Sequence, residues 1–574
     1  MIAVHRAIPA GIAIFAEEDD EPPDPDTYSK MCTCMPLRDK CPCCPYPACL
    51  QDAQALTLTA TGEVSGATLH IFCGRLLIIG MGAIGTATLP LLFKHIAMDP
   101  SQVTVLTGDD CAQEAARVAT EYPHVRTTLC YLTESNLDAE LAKHLGDGDM
   151  CVNLCVDVSS VAVVEWCAAH GVTYVDTVIE PWANFYGNRA LTPAQRSNYA
   201  LREEALALKR RLGPTAPTAV LTHGANPGLV SHLVKDGLLI LAHKQQLDVP
   251  PPMSREQWAT LAQRVGLCTI HISERDSQVP SKPKRRNEFV NTWSVDGFIA
   301  EACQPAELGW GTHEKELPAK GARHNHGCNA SIYIDKPGAA TRVRTWAPLE
   351  GPFHGFLVTH NESISLADYL TVGGGTVGPV TFRPTVHYAY HPCDSAVASL
   401  HELAGKNWRA PRDRLIIRDG TPRPPAFAQG PCTMCLQTRQ LAACLKPEIV
   451  DGVDELGVLL MGTAKATGEH YALWHGSQLD IHNARKRAKN NSATTLQVAA
   501  SVMAATLWAM RNPRCGVLEP EELPHREILG IVGPYIAPVI SAFTDWTPLQ
   551  DRSFLFDDEV DWTDPWQFKN VLVA

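Results

Sequence analysis

The sequence is poor in basic side chains and lacks long apolar runs. Its 574 residues include 49 Lys and Arg against 62 Asp and Glu, a formal net charge of −13 at pH 7. Nucleic-acid binding depends on Lys and Arg to neutralise phosphates, so no nucleic-acid partner is expected. No apolar run reaches the roughly 18 residues of a membrane-spanning helix, so no membrane partner is expected either. The opening "MIAVHRAIPAGIAIFAEEDDEPPD" lacks the strongly basic start and small-residue cleavage site of a signal peptide, which favours a cytoplasmic protein.

Cysteine is abundant, with 20 residues, but its spacing does not predict a metal site. Six cysteines crowd into "CTCMPLRDKCPCCPYPAC", where C-x-C and C-C spacings differ from the usual paired pattern of zinc sites and no His is interleaved. Cys432 and Cys435 form one isolated C-x₂-C pair within an insert at about residues 420–445. We therefore expect no metal, with zinc binding by the cluster as the alternative. Residues 1–70 are rich in Cys, Pro and acids, and we interpret them as a weakly ordered extension.

From Arg75 onward, short apolar runs alternate with helix-like segments. The runs include "RLLIIGMGAIG", "VTVLTGDD", "MCVNLCV" and "TYVDTVIE", and "CAQEAARVATEY" and "SSVAVVEWCAAHG" are two of the helix-like segments. This alternation predicts a parallel sheet with crossover helices. From Ile270 to about Tyr390, β-branched and aromatic residues and Gly-rich turns predict a mixed or antiparallel sheet. "SATTLQVAASVMAATLWAM" is the clearest helix of the C-terminal part.

The predicted fold class is therefore α/β: a Rossmann-type dinucleotide-binding domain plus an α+β substrate and dimerisation domain with a mixed sheet. We divide the chain into the extension 1–70, an NAD-binding domain 71–222, a substrate-binding and dimerisation domain 223–400, and a C-terminal region 401–574. That last region contains the insert and several helices, which we expect to pack on the other domains.

The segment "IIGMGAIG" carries the pattern G-x-G-x-x-G between an apolar strand and a helix. The candidate phosphate-binding residues are Gly80, Gly82, Ala83, Ile84 and Gly85. Glycines let the backbone turn tightly and approach a pyrophosphate, and the N-terminus of the following helix offers N–H groups to the phosphates. The strand before and the helix after strengthen the pattern, which predicts a dinucleotide site. A glycine-rich turn without a ligand is the alternative.

Two further segments complete the predicted cofactor site. Asp109 and Asp110 end the strand "VTVLTGDD", where a carboxylate can accept hydrogen bonds from ribose hydroxyls. No Arg lies beside them to hold an additional phosphate, which favours NAD over NADP. Asn153 and Val156 lie at the end of the fourth strand, where the nicotinamide half of the cofactor normally lies.

Several polar side chains follow apolar runs, at positions where an α/β sheet binds ligands. Each one alone is typical of an exposed strand end or a satisfied polar group, but together they indicate a second, anionic site opposite the dinucleotide. They are Asp176, Glu180, Asn226, Glu274, His360, Glu362, His391 and Asp394.

The stretch "NEFVNTWSVDGFIAEACQPAELGWG" combines indoles with carboxylates. Trp293 is followed by Asp296 and Glu301, and then by Glu307 and Trp310. An aromatic face beside carboxylates can mark the surface of a core, or a place that holds an organic cation. The sequence pattern alone leaves both interpretations open.

The chain resembles the homospermidine synthase family, which is related to saccharopine dehydrogenases and carboxynorspermidine synthases. The resemblance runs from about Leu76 to Pro548 and rests on many segments in one order, among them "VDVSSVAVVEWC", "YVDTVIEPW", "THGANPGLVS", "ISERDSQ", "NTWSVDGF", "THNESISLADYL", "HYAYHPCDSA", "DGVDELGVLLMG" and "FTDWTPL". Residues 1–70 and the insert fall outside it.

The resemblance implies a homodimeric transferase in which NAD stores a hydride. Putrescine, or spermidine, is oxidised beside one amine to an imine, and ammonia, or diaminopropane, leaves. A second putrescine attacks, and the new imine is reduced, so that no net redox change occurs. By position in the family's motifs, the implied catalytic residues are Trp293, Glu274 and Glu301, and the implied substrate-binding residues are Asn226, His360, Glu180 and Asp454.

The chemistry of these residue types suits such a reaction. An indole face stabilises a transient iminium cation by roughly 0.5 to 2 kcal/mol. Carboxylates hold the distal ammonium, and one acid with a raised pKa accepts a proton from the attacking amine. Glu274 and Glu301 are both candidates for that proton acceptor. The alternatives are a net oxidoreductase of the saccharopine dehydrogenase or carboxynorspermidine synthase type, and a non-catalytic NAD-binding sensor.

Overall fold

The computed structural model describes residues 56–59, 61–374, 378–409, 413–416, 448–489 and 491–573. The chain divides into two units, residues 1–53 and 54–574, and the described residues belong to the second unit. The cysteine cluster and the pair Cys432 and Cys435 lie outside the described residues.

A seven-stranded sheet, parallel throughout, organises the cofactor half of the unit and confirms the predicted Rossmann-type fold. Its central strands are short, mainly apolar and buried along their whole length, as expected for a sheet covered on both faces. In spatial order the strands are Val517–Leu518, Ala219–Val220, Thr173–Asp176, Met150–Asn153, Leu76–Ile79, Val103–Thr107 and Arg126–Leu129.

Crossover helices connect these strands, as the alternating pattern predicts. The short strand Ala219–Val220 follows the last of them directly, and Val517–Leu518 returns from the C-terminal part of the chain to the sheet edge. The helices are Ala83–His95, Ala112–Glu121, Leu137–His144, Ser160–Ala169 and Asn198–Leu212.

A second, ten-stranded sheet is mixed, which confirms the other half of the predicted fold class. The strand Leu267–Asp276 lies at its centre, parallel to Thr385–His391 on one side and antiparallel to Val453–Thr463 on the other. The remaining strands of this sheet are Pro305–Gly309, Gly321–Arg323, Ser331–Pro337, Arg342–Ala347, Gly351–Phe356, His470–Asp480 and Val539–Thr544.

The remaining helices pack on this second sheet or between the two sheets. They are Leu229–Lys244, Arg255–Val265, Val295–Cys303, Asn361–Tyr369, Asp394–Gly405, Ile481–Arg487, Ala493–Arg511, His525–Ile536 and Phe568–Val571. Three two-stranded pairs lie outside both sheets: His70–Ile71 with Ile96–Ala97, Val279–Pro280 with Ile449–Asp451, and Glu288–Asn291 with Asp413–Ile416.

The helix Ala493–Arg511 occupies the core between the two halves. Its N-cap Ser492 accepts a hydrogen bond from the backbone of Thr495, and the helix packs against Ala83–His95, His525–Ile536 and the strand Thr173–Asp176. Among the described residues it alone has the length and composition of a membrane span, but 94% of its apolar window is buried inside the molecule. The same composition is typical of a core helix.

A buried ion-pair network joins the cofactor half to the substrate half. Arg202, 2% exposed, donates to Glu519 at 2.6 Å and to Asp368 at 2.8 Å. Arg255 contacts Asp368 as well, at 2.8 Å. Removing one partner of a buried ion pair leaves an uncompensated charge in a low-dielectric environment, which is strongly destabilising.

We expect Arg202→Met to lower the free energy of unfolding by about 3 kcal/mol, because Glu519 and Asp368 lose their shared buried cation. The matched control is Lys209→Met on the same helix, whose partner Glu522 is partly exposed, with an expected effect of about 1 kcal/mol or less. The free energies of unfolding of both variants are measured by urea and thermal unfolding, followed by circular dichroism. Equal losses of unfolding free energy in the two variants would contradict a special role for the buried ion-pair network.

Candidate active site

The turn after the strand Leu76–Ile79 has the shape of a phosphate-binding loop. Gly80 has φ +92°, and a Cβ there would lie 2.9 Å from the backbone N of Cys155. A Cβ on Gly85 would lie 2.4 Å from the carbonyl oxygen of Gly80, so the helix packs tightly on the turn. Open space lies in front of Gly82, the N-cap of the helix that contains Ala83, Ile84 and Gly85. Close backbone approach and a helix N-terminus facing free space fit a pyrophosphate.

The other predicted cofactor residues line the same edge of the parallel sheet. Asp109 and Asp110 begin a 3₁₀ turn after the strand Val103–Thr107, and both are exposed. Tyr131 donates a hydrogen bond to Asp110 at 3.1 Å, a contact that the sequence pattern did not indicate. These side chains are placed where ribose hydroxyls are bound in this fold.

Asn153 and Val156 lie at the end of the neighbouring strand Met150–Asn153 and in the loop that follows it. Asn153 is buried, accepts a hydrogen bond from the backbone N–H of Cys155 at 3.2 Å and donates to Tyr174 at 3.2 Å. Val156 is partly buried. The amide of Asn153 therefore fixes the loop rather than projecting freely from it.

The strand Leu267–Asp276 places Glu274 at its carboxyl end, where the side chain is buried. One carboxylate oxygen, Oε2, accepts hydrogen bonds from Asn226 Nδ2 and from Tyr388 OH, each at 2.6 Å. Burial raises the pKa of Glu274 to about 7, with the charge of Asp276 adding to the rise and the two hydrogen bonds opposing it. A carboxyl with this pKa exchanges protons near neutrality.

The register of the mixed sheet collects acidic and aromatic side chains on one face. Tyr390 lies opposite Glu274 in the parallel neighbour, and Asp454 lies opposite Asp276 in the antiparallel one. Because side chains two apart on a strand share a face, Tyr388 joins them there. Burial, followed by the charges of Glu274 and Asp276, holds the pKa of Asp454 well above its usual range.

His360 forms a second polar group beside this face, between two carboxylates. Its Nε2 lies 3.3 Å from Glu301 Oε2, and its Nδ1 lies 3.2 Å from Glu362 Oε1. Burial alone would lower the pKa of His360, but Glu362 and Glu301 raise it to about 10, so the imidazole is charged at neutral pH. Its ring centroid is 4.2 Å from that of Tyr388, which joins this group to Glu274.

Trp293 contacts Tyr390 from the segment that precedes an adjoining helix. It is partly buried just before the helix Val295–Cys303, which holds Glu301, and its indole N–H donates to the hydroxyl of Tyr390 at 3.3 Å. The rings of Tyr388 and Tyr390 are stacked with centroids 5.3 Å apart. The indole, the two phenols and Glu274 are therefore one connected group.

Glu180 extends the acidic lining toward the cofactor sheet. It is buried in the segment after the strand Thr173–Asp176, and its backbone N–H donates to Ser160 Oγ at 3.0 Å. Burial raises the pKa of Glu180 to about 8, and the charges of Asp157 and Glu301 contribute to the rise. All seven predicted catalytic and substrate-binding residues thus belong to one neighbourhood.

Other acids and aromatics singled out in the sequence have structural roles. Glu307 is buried and accepts hydrogen bonds from the backbone N–H groups of Asn198 and Tyr199, at the start of the helix Asn198–Leu212. Asp176 accepts from the backbone of Thr222 at 2.6 Å, and Trp310 is part of a buried apolar cluster.

His391 and Asp394 are not part of this neighbourhood. His391 lies opposite Arg275 in the sheet and therefore on the other face from Tyr390. Asp394 is exposed and lies 3.5 Å from Arg275. The sequence interpretation missed Tyr388 and Tyr390, although their spacing by two in "HYAYH" puts both on one face of a strand.

Comparison with known proteins agrees with this architecture. Saccharopine dehydrogenase NADP binding domain is the family description that matches residues 76–220, and Saccharopine dehydrogenase C-terminal domain matches residues 224–541. A homospermidine synthase of Blastochloris viridis is 45% identical over 507 residues, which cover 88% of this chain and 98% of the relative. A homospermidine synthase of Mesorhizobium japonicum is 43% identical over 505 residues, covering 87% and 96%.

A solved structure is similar as well. The crystal structure of the homospermidine synthase from Legionella pneumophila, in complex with NAD, superposes with a TM-score of 0.76 at 39% identity and covers 88% of this chain and 98% of that one. The sequence-based resemblance is confirmed, and the chain belongs to the homospermidine synthase family, built from the two domains of the saccharopine dehydrogenases.

Proposed function

We propose that the protein joins two putrescine molecules, or spermidine and putrescine, to form homospermidine, with NAD bound throughout. The observation that carries the proposal is the buried group of Glu274, Tyr388, Tyr390 and Trp293, acidic and aromatic, beside the edge of a dinucleotide-binding sheet. A cationic diamine fits this lining by charge. We further propose a cytoplasmic homodimer, with a cofactor domain at 71–222, a substrate domain at 223–400 and a C-terminal region at 401–574.

NAD, when bound, accepts a hydride from the carbon beside an amine and returns it at the end of the reaction. Its pyrophosphate would be held by Gly80, Gly82, Ala83, Ile84 and Gly85. Asp109 and Asp110 would accept hydrogen bonds from the ribose, and Asn153 and Val156 would border the nicotinamide. The close backbone approaches at Gly80 and Gly85 support this assignment.

Glu274 takes the role of proton acceptor in this proposal. Only a neutral amine can release a hydride or attack an imine, so a carboxylate must remove a proton from the ammonium form. Glu274 has a pKa near 7, and Asn226 and Tyr388 fix the orientation of its Oε2. Glu301 instead faces the charged His360, which suits it to hold an ammonium rather than to exchange its proton.

Trp293 stabilises the transient cation. Hydride loss and amine exchange both place positive charge on a carbon–nitrogen bond, and an indole face lowers the energy of such a cation by roughly 0.5 to 2 kcal/mol. The hydrogen bond from the indole N–H to Tyr390 holds the ring in place. Glu180 and Glu301 bind the distal ammonium, and their positions set the accepted chain length. Asp454 binds the substrate at the end that lies beside Glu274.

A net oxidoreductase of the saccharopine type would need cations to bind substrate carboxylates. Arg275, the nearest Arg in sequence to Glu274, is on the opposite face of the strand and donates to Glu350 at 3.2 Å. This orientation favours a polyamine over an amino-acid substrate.

The decisive experiment uses putrescine deuterated at both carbons that carry nitrogen, with excess unlabelled NADH in solution. We expect mass spectrometry to show homospermidine that retains all its deuterium, together with released ammonia and no net NADH formation, because the hydride returns from the same bound cofactor. Product with deuterium lost to the NADH pool, or NADH formed in proportion to product, would favour a net oxidoreductase.

Replacing Trp293 should impair turnover without affecting cofactor binding. We expect Trp293→Phe to lower kcat/KM about 10-fold and Trp293→Leu to lower it further, since loss of the indole face removes roughly 1 to 2 kcal/mol of cation stabilisation. NAD binding, measured by calorimetry, should stay unchanged. The control is Trp346→Phe. Trp346 has a partly buried indole and lies on the hairpin of the opposite sheet face. Full activity of Trp293→Leu would refute the role.

The pH dependence tests the proton acceptor. Because ionised Glu274 is the active form, we expect kcat/KM to fall as pH drops through about 7. Tyr388→Phe removes a hydrogen bond that stabilises the carboxylate, so the pKa of Glu274 rises and the acidic limb moves up by about one pH unit. The hydroxyl of Tyr390 accepts a hydrogen bond from Trp293. The control variant Tyr390→Phe should therefore leave the acidic limb of the pH profile in place. An unshifted limb in Tyr388→Phe would assign the proton transfer to another group.

A further inference from the structure

A cavity of about 450 Å³ lies beside the hairpin formed by the strands Arg342–Ala347 and Gly351–Phe356. The hairpin forms one wall, and His391 with the helix Asp394–Gly405 forms the other. We call this space the hairpin cavity. Its volume is in the range of small-molecule binding sites. None of the seven candidate catalytic and substrate-binding residues lines it, so it is separate from the candidate active site.

The register of the hairpin places two Arg and a His on one face. Arg342 and Arg344 are two apart on one strand, and His354 lies directly opposite Arg344 on the other. Side chains related in these two ways point to the same side of a hairpin. Thr345 points to the other side, since its hydroxyl lies 3.1 Å from Nδ1 of His271 on the central strand of the mixed sheet. The basic side chains therefore line the cavity instead of packing on the sheet.

The second wall adds two more imidazoles. His391 ends a strand of the mixed sheet, and His401 lies four residues after Val397 on the following helix, so both helix residues share one face. Arg342 and His354 are exposed to solvent, so a solute can enter the cavity. Five basic side chains thus surround an accessible space on a protein with a net charge of −13.

The two guanidinium groups of the cavity are not compensated by acids. Glu350 is the single acid of the lining, and it contacts Arg275 at 3.2 Å, so its charge is already paired. Among the residues that the structure describes, neither Arg342 nor Arg344 forms an ion pair. Arg344 donates a hydrogen bond to the carbonyl oxygen of Pro548 at 2.9 Å, which fixes the side chain without neutralising it. The cavity therefore offers two cations without a counter-ion.

The pKa of Arg344 reflects this lack of compensation. Burial, followed by the charge of Arg552, lowers the pKa of Arg344, and the charges of Asp551 and Asp558 oppose the lowering without reversing it. An anion placed in the cavity would relieve the repulsion between the two Arg side chains.

His354 responds to the same charges. Burial, followed by the charges of Arg344 and Arg342, lowers the pKa of His354, and Arg552 and His391 act in the same direction. Each of these neighbours is basic, so every charge that acts on His354 disfavours its protonated form. A bound anion would reverse that effect and allow the imidazole to accept a proton.

We propose that the hairpin cavity is a binding site for a phosphate group, carried either by free phosphate or by a phosphate ester. A guanidinium group binds phosphate through two parallel hydrogen bonds, and an imidazole beside it adds a further donor. Phe353 and Phe356, both buried, give the lining apolar surface next to the cations, which suits the organic part of an ester. The cavity lies on the sheet face opposite Glu274, so this proposal does not rest on the proposed function.

Isothermal titration calorimetry at low ionic strength tests the site in the full-length protein. The protein is saturated with NAD, so that the cofactor loop is already occupied, and inorganic phosphate and phenyl phosphate are the two probes. We expect saturable binding of one phosphate group per chain. Tighter binding of phenyl phosphate assigns the site to an ester, and equal or weaker binding assigns it to free phosphate. Absence of saturable binding by both probes overturns the proposal.

Variants locate the binding. We expect the double variant Arg342→Ala with Arg344→Ala to weaken binding on the order of 100-fold, since each charged hydrogen-bond donor contributes about tenfold. Glu350→Gln should tighten binding, because it removes the single acid of the lining. The control is Arg210→Ala, at an exposed position on the helix Asn198–Leu212, and it should leave the affinity unchanged. Thermal unfolding verifies that each variant is folded. An affinity that the double variant does not lower, or that the control lowers equally, overturns the proposal.

Proton uptake provides an independent readout of the position of the anion. Sulfate has the shape and charge of the phosphate dianion but does not titrate near neutrality, so any proton taken up on its binding goes to the protein. We expect calorimetry at about pH 6 in buffers of different ionisation enthalpy to show proton uptake, and His354→Gln to reduce it. Binding without proton uptake, or uptake that His354→Gln does not change, would place the anion outside the hairpin cavity and overturn the proposal.

Discussion

The candidate site depends on the burial of several carboxyl groups on one face of one sheet. Glu274, Asp276 and Asp454 lie side by side there because the central strand pairs in a fixed register with its antiparallel neighbour. Like charges in a low-dielectric environment cannot all ionise, so this group retains a proton at neutral pH. The hydrogen bonds from Asn226 and Tyr388 keep Glu274 near the middle of its titration instead of fully protonated. A buried acid that exchanges protons near neutrality follows from the sheet register.

The surrounding charges make this region a site for cations. The imidazole of His360 is positively charged, but it lies between two acidic side chains, Glu301 and Glu362, which contact its two ring nitrogens. Glu180 adds a further buried carboxyl from the cofactor side, and burial, with smaller contributions from the charges of Asp157 and Glu301, raises its pKa. The stacked Tyr388 and Tyr390 separate these acids with aromatic surface. In the proposed function, a diamine would meet carboxyl groups at both ends and aromatic faces along its length.

Side chains along the central strands alternate between the two faces of the sheet, so the two faces carry different groups. Even-numbered residues of Leu267–Asp276 face the candidate site, and odd-numbered residues face the hairpin of Arg342–Ala347 and Gly351–Phe356. Arg275 and His391 belong to that second face. Because neighbouring residues on a strand face opposite sides of the sheet, these basic side chains point away from the acidic site.

The sequence by itself determined the parallel and mixed sheets and the glycine turn of the cofactor loop, whereas the roles of Glu274 and Trp293 were implied only by the family resemblance. Local periodicity and turn chemistry are encoded within a few residues, so these features could be read directly. The sequence left open whether Glu307 and Trp310 belong to a core or to a cation site, and both are structural, because burial depends on contacts with distant segments. Only the tertiary structure decided that Tyr388 and Asn226 share one oxygen of Glu274. Those pairings join segments far apart in the chain, and strand register and packing, which no local pattern specifies, bring them together.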